Sequence, residues 1–249
     1  MEIVFFAISG VYAAAGFAGG SSFLAALTMA GVPLSTAAIT SLACNAASAV
    51  SVLVYARKCG ELLRDYFWIL LPGALAAAAG SRIHLHSPLF TALLGASLMA
   101  AAWSIFFGPL RANAPGAGRS GPEARTIPIL AQAGLGILAG GAGGMTGIGG
   151  GILLAVLLHV FFRGSLDQRR LSLLTALFIL INSITGLVVR VHSAAVLPRL
   201  PGIELLILSA FLGGGIGRIA SQNLAEISLR RVTAGAVAAR GIWMIWSML

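Results

Sequence analysis

Carboxylates are scarce in this chain. Of 249 residues only seven are acidic, and Glu2, Glu61, Asp65, Glu123, Asp167, Glu204 and Glu226 all fall in or beside predicted loops. No buried acid is therefore offered to a proton relay of the kind that intramembrane pumps use. Any coupling would have to ride on a proton carried by the substrate itself. Cysteine is sparse too. Cys44 inside an apolar segment and Cys59 in a short loop make neither a disulfide framework nor a zinc site, and a lone buried thiol behaves as a small hydrophobe. The motifs of soluble catalysis are missing: no His-Glu-x-x-His, no Gly-x-Ser-x-Gly elbow, no strict Gly-x-Gly-x-x-Gly in the main glycine run, and no lysine after it as a phosphate-binding loop requires. We expect no enzyme and no cofactor or metal.

Charge of either sign is short. Only 9% of residues are charged and 58% are apolar, with a mean hydropathy of +0.97, whereas a soluble domain carries roughly 25% charged residues. This composition specifies an integral membrane protein. No charge falls between residues 3 and 56, room for two crossings at about 20 residues each. Further apolar spans cover 66–81, 89–108, 127–162, 171–189, 202–217 and 232–249. They make eight segments if each glycine-broken stretch counts once, and they leave nothing for a soluble domain. The net charge of +9 would suggest nucleic acid in a soluble protein. Here the basic residues cluster at segment ends, where they orient the chain against the cytoplasm. The partners expected are a small anionic substrate and the lipid bilayer, with a homo-oligomer compatible and nucleic acid excluded. The start of the chain, with Glu2 and no basic residue, does not read as a signal peptide.

What the chain has in abundance is glycine, 32 residues, eight of them within 140–151. Each costs about 1 kcal/mol relative to alanine in a helix, so a break in the backbone is expected across this run. Irregular backbone at membrane depth is tolerated only where protein buries it or where it lines a cavity. A fainter copy, Gly16-Phe17-Ala18-Gly19-Gly20-Ser21-Ser22, occurs in the first half. Two broken apolar segments in corresponding positions are the sequence pointer to a secondary transporter's binding site.

Other ties recur at a spacing of roughly 130–140 residues. Thr40 to Asn45 answers Thr175 to Asn182, with the asparagines two residues out of register, and Gly80-Ser81-Arg82-Ile83 answers Ile216-Gly217-Arg218-Ile219. The fold class read from this is an all-α polytopic membrane protein of two related four-segment halves, 1–108 and 127–249, joined by an exposed linker at 109–126. If the glycine-broken first segments are re-entrant, the loops at 57–64, 111–125, 163–170 and 218–231 share one face and hold 12 of the 16 lysines and arginines. The opposite face then holds Arg82, Arg190 and Arg199, and Arg240 stands inside the last segment. The positive-inside rule favours this arrangement. It inverts the halves relative to one another and puts both termini outside.

On these residues the chain resembles the sulfite exporter TauE/SafE family of bacterial membrane transporters. The resemblance rests on Gly147–Gly151 before an apolar segment, on Val32-Pro33-Leu34 with Ala37-Ala38-Ile39-Thr40-Ser41, on Asn182-Ser183-Ile184-Thr185-Gly186-Leu187, and on the glycine-arginine ends of the third segments, Gly80-Ser81-Arg82 and Gly217-Arg218. It implies secondary transport of sulfite, organosulfonates or related sulfur anions, often outward, in the bacterial inner membrane. The first hinge departs from the family pattern, with Gly-Gly-Ser-Ser where a fuller glycine run would stand.

An anion leaving water needs hydrogen-bond donors. Half-helix N-termini supply free backbone N–H groups and a positive dipole end, and glycine lets the backbone approach the ligand closely. The candidate substrate-binding residues are therefore Gly19, Gly20, Ser21 and Ser22 in the first hinge and Gly147, Gly149, Gly150 and Gly151 in the second. Thr40, Ser41, Asn45, Thr175 and Asn182 join them as polar side chains on oily helices. The competing reading is packing: Gly143, Gly147 and Gly151 have the four-residue spacing of a close helix contact, and the hydroxyls can bond back to their own helices.

Overall fold

The computed structural model describes residues 1–14, 17–54, 59–83, 128–161, 168–193 and 201–222, with Gly235, Ala238 and Ile242. The linker 109–126, the segment 89–108, Arg199 and Arg240 lie outside the described residues. Within them every regular element is a helix: α1 (Glu2–Ala14), α2 (Gly20–Met29), α3 (Leu34–Val54), α4 (Cys59–Asp65), α5 (Phe67–Ser81), α6 (Ile129–Thr146), α7 (Gly151–Phe161), α8 (Gln168–Ser193) and α9 (Ile203–Gln222). Four stretches are long and apolar enough to cross a membrane, Leu34–Val54, Ile129–Thr146, Arg170–Ser193 and Ile203–Ala220. This is the all-α membrane architecture that the composition requires.

Burial runs opposite to that of a soluble protein. Ile3 and Leu130 are 84% and 86% exposed, and Leu75, Leu138 and Val188 also face outward, while Ser9, Ser41, Asn45, Ser48, Asn182 and Ser183 are buried. Lipid is as apolar as leucine, so helices in a bilayer are held by close backbone packing and hydrogen bonds rather than by expulsion of oil from water. The contacts here follow that logic.

The broken run at 140–151 is shorter than expected. Helix α6 continues through Gly140, Gly141, Gly143 and Gly144 to Thr146, and only residues 147–150 leave the helix. Packing overrides the weak intrinsic propensity. A Cβ at Gly136, Gly140 or Gly144 would overlap the carbonyl oxygens of Ile69, Gly73 and Ala77 on α5, and one at Gly80 would collide with Gly141. Four-residue spacing thus lays a bare face of α6 directly on the backbone of α5. This packing row lies one residue out of register from the Gly143, Gly147, Gly151 row expected from the sequence.

The other end of the molecule repeats the arrangement. Gly213 and Gly217 on α9 lie against the carbonyls of Phe6 and Gly10 on α1. So α5 packs on α6 and α9 on α1, with α3 and α8 crossing between them.

Both breaks reverse the chain. In a continuous helix Phe5 and Phe23 would stand about 27 Å apart at 1.5 Å per residue. Their rings instead stack with centroids 4.7 Å apart, and the Ser22 hydroxyl donates to the Tyr12 hydroxyl at 2.9 Å. In the second half Gly150 lies against the carbonyl of Ala139 and the Cα of Gly143. Each glycine break is therefore the tip of a helical hairpin, and the tips carry the N-termini of α2 and α7.

Candidate functional site

The first tip is closed by the Phe17 N–H donating to the Tyr12 carbonyl at 2.8 Å, and α2 opens when the N–H groups of Ser22 and Phe23 both donate to Gly19. Gly19 has φ 79°, a left-handed conformation that a side chain resists. The second tip is built more elaborately. The Gly147 N–H donates to Gly144 at 3.3 Å and the Ile148 N–H to Gly143 at 3.1 Å, the paired bonds that end a helix on a left-handed glycine. Gly147, Gly149 and Gly150 have φ of 71°, 80° and 70°. After them α7 starts, with the Leu154 N–H on the Gly150 carbonyl. The first N–H groups of α2 and of α7 have no partner within their own helices, as at every helix start.

Asn45, midway along α3, touches both tips. Its amide nitrogen donates to the Ile148 carbonyl at 3.1 Å and to Ser183 Oγ on α8 at 3.0 Å. A Cβ at Gly149 would lie 2.6 Å from that nitrogen and 2.8 Å from the Ser183 hydroxyl. On the other side a Cβ at Gly20 would lie 2.7–2.8 Å from the terminal amide atoms of Asn45. One turn earlier the Ser41 hydroxyl donates to the Gly20 carbonyl at 2.6 Å. Gly20 and Gly149 are thus bare where they are because one asparagine side chain lies against each of them.

The buried polar atoms with no hydrogen-bond partner among the described residues include Asn45 Oδ1, Ser21 Oγ beside Gly20, Thr40 Oγ1 on α3, and Ser172 Oγ and both amide atoms of Asn182 on α8. Of these, Asn45 is the one whose contacts reach both tips.

Residues 2–244 match the family model for the sulfite exporter TauE/SafE. The chain belongs to the TauE/SafE family. It is 28% identical over 253 residues, spanning 99% of its own length and 97% of the relative's, to a probable membrane transporter protein, y4hK, of Sinorhizobium fredii. No solved structure matches. This TauE/SafE protein is accordingly a membrane transporter and not an enzyme.

The structure places the sequence candidates unequally. Gly20, Ser41, Asn45 and Gly149 converge as described. Gly147 faces Ala38 of α3, and Gly151 sits on Ile179 of α8. Gly150 packs back on α6 and Gly19 against Ile8 and Tyr12 of α1, so these two shape the tips rather than line the space between them. Ser22 points at Tyr12. The Thr175 hydroxyl donates to the Leu171 and Ser172 carbonyls of its own helix at 2.9 Å each. Thr40, next to Ser41 on α3, is buried with no hydrogen-bond partner for its hydroxyl among the described residues.

Two residues escaped the sequence reading. Ser183 is 138 residues after Asn45, within the repeat spacing, so a strict register would have paired them. Arg190 read only as a segment-end cation. Its guanidinium donates to the Gly144 and Met145 carbonyls at 2.9 and 3.2 Å, and it lies 3.8 Å from where a Gly147 Cβ would be. It thereby sets a positive charge on the negative end of the α6 dipole, at the foot of the second tip. No group of three or more metal-ligating side chains occurs among the described residues.

Proposed function

We propose that this TauE/SafE protein moves a small sulfur-containing anion, sulfite or an organosulfonate, outward across the bacterial inner membrane by alternating access. The observation that carries the reading is Asn45, a neutral amide on a membrane-length helix that contacts the N-terminal end of α2 and the second glycine tip together. An anion seated there would meet two helix N-termini, whose dipoles and unpaired N–H groups favour negative charge, without needing a fixed cation that would hold it too tightly for release.

In this account the two hairpins are re-entrant, each half (1–108 and 127–249, with the linker 109–126 between them) contributes three crossings, and the halves are inverted. The reciprocal packing of α5 on α6 and of α9 on α1 supports that arrangement, as does the distribution of basic residues. The glycine rows Gly136, Gly140, Gly144 and Gly213, Gly217 build rigid helix pairs. One pair sliding against the other across α3 and α8 would expose the tips to alternate sides.

Purified protein in liposomes, offered sulfite, thiosulfate, sulfoacetate, taurine and non-sulfur anions, tests the reading. Selective flux of one or more sulfur anions is expected. Uniform silence across the panel, or equal flux of the non-sulfur anions, would overturn it. A membrane scaffold is the reading that the packing glycines alone would favour, and Gly149→Ala separates the two. A transporter loses flux while still inserting and assembling, whereas a scaffold loses assembly.

A further inference from the structure

The polar atoms left open near the tips are of both kinds. A helix N-terminus and a serine hydroxyl donate, as an anion requires. An amide oxygen does not. Asn45 is 1% exposed, and its orientation is fixed, because the nitrogen must face the Ile148 carbonyl, which can only accept. Its Oδ1 is therefore turned into the site with no donor to meet it among the described residues. A fully deprotonated oxyanion carries only acceptors. Set against this amide oxygen it would leave it unpaired and face it with like partial charge, and an unpaired buried acceptor is costly.

Resting on the transport reading above, we propose that the transported species is an oxyanion that also carries at least one hydrogen-bond donor, a protonated or hydroxy- or amino-substituted sulfur anion, with the donor directed at Asn45 Oδ1. The site then reads both ends of its ligand. The helix N-termini hold the oxyanion, and Asn45 takes the hydrogen. Such a site discriminates strongly, because an analogue lacking the donor leaves buried polar groups without partners.

Matched ligands test this in the intact, detergent-purified protein. Isethionate and taurine differ from 1-propanesulfonate in carrying a terminal hydroxyl or ammonium in place of a methyl group. Hydrogensulfite differs from methanesulfinate in the same sense. Within whichever series binds, the donor-bearing member is expected to bind about tenfold tighter or better, the loss expected for one unpaired buried group. Asn45→Leu, or Asn45→Ala should leucine prevent folding, is expected to bring the ratio within a series down severalfold, and a ratio that stays at its wild-type value overturns the proposal. Equal affinities within a series overturn the proposal and leave the sulfur-anion reading standing. Failure of every ligand in both series overturns the sulfur-anion reading itself, and the proposal with it.

Discussion

Replacing Gly20 by alanine isolates the contact between the first tip and Asn45. Unlike Gly19, Gly20 is not held at positive φ, so alanine brings no backbone strain, and by propensity alone it would favour the helix by up to about 1 kcal/mol. Its methyl group, however, would fall 2.7–2.8 Å from the amide of Asn45. That amide cannot simply swing away, because it is tied to Ile148 and Ser183. Turning it gives up two hydrogen bonds, worth on average about 0.6 kcal/mol each between membrane helices and at most about 1.7. It also leaves the Ile148 carbonyl and the Ser183 hydroxyl without that partner, so the net cost is about 1–2 kcal/mol. At a few degrees per kcal/mol for a chain of this size, the thermal midpoint in detergent should fall by about 2–8 °C. The double variant Gly20→Ala with Asn45→Ala should melt no lower than Asn45→Ala alone, since the smaller residue makes room for the methyl group. A Gly20→Ala protein that melts at or above the wild type refutes the reasoning, and so does full additivity of the two losses.

Other consequences are as direct. Gly140→Ala, aimed at the carbonyl of Gly73, should cost about 1–3 kcal/mol by overpacking, whereas Gly134→Ala on the same helix meets nothing within 4 Å and should be neutral or slightly stabilising in the same melting assay. Arg190→Gln should lower the thermal midpoint by removing the charged cap on α6, with Arg190→Lys recovering part of the loss, and an unchanged midpoint in both variants would show the cap to be idle. Cys44 is fully buried, so in a Cys59→Ser protein a maleimide should label it only as the protein unfolds; rapid labelling of that native variant would contradict the packing of α3. With both native cysteines replaced, a membrane-impermeant maleimide applied to intact cells should label Ser35→Cys and not Glu61→Cys if the first hairpin is re-entrant, and the reverse pattern would mean that it crosses.

Much of the fold was legible because the bilayer imposes it. A chain with no charge between residues 3 and 56 can do little but form membrane helices, and the glycines at 19–20 and 147–150 mark where those helices must stop. What could not be read was which glycines break and which pack. Gly140 and Gly144 have the same intrinsic penalty as Gly149, yet they remain helical because Gly73 and Ala77 on α5 let the two backbones meet, a fact of the partner helix rather than of the run itself. The site was legible in part for the same reason. Asn45 stood out as an amide in oil, but its bond to Ser183 depends on a register that the asparagine pair obscured. Ser41 and Thr175 both read as polar side chains on oily helices, and only the backbone around each decides that one hydroxyl reaches a neighbouring helix while the other returns to its own. Arg190 carried no local signal at all, since the carbonyls it caps lie more than forty residues away in sequence.

The most direct test of the account is the affinity of the folded, purified protein for sulfite, measured side by side in Asn45→Ala and Thr175→Ala. The first removes the side chain that joins the two tips, the second a hydroxyl already bonded within α8. The account predicts that Asn45→Ala weakens binding by about tenfold or more while Thr175→Ala binds as the wild type does. Undiminished binding by Asn45→Ala, or a loss in Thr175→Ala as large as that in Asn45→Ala, would contradict it.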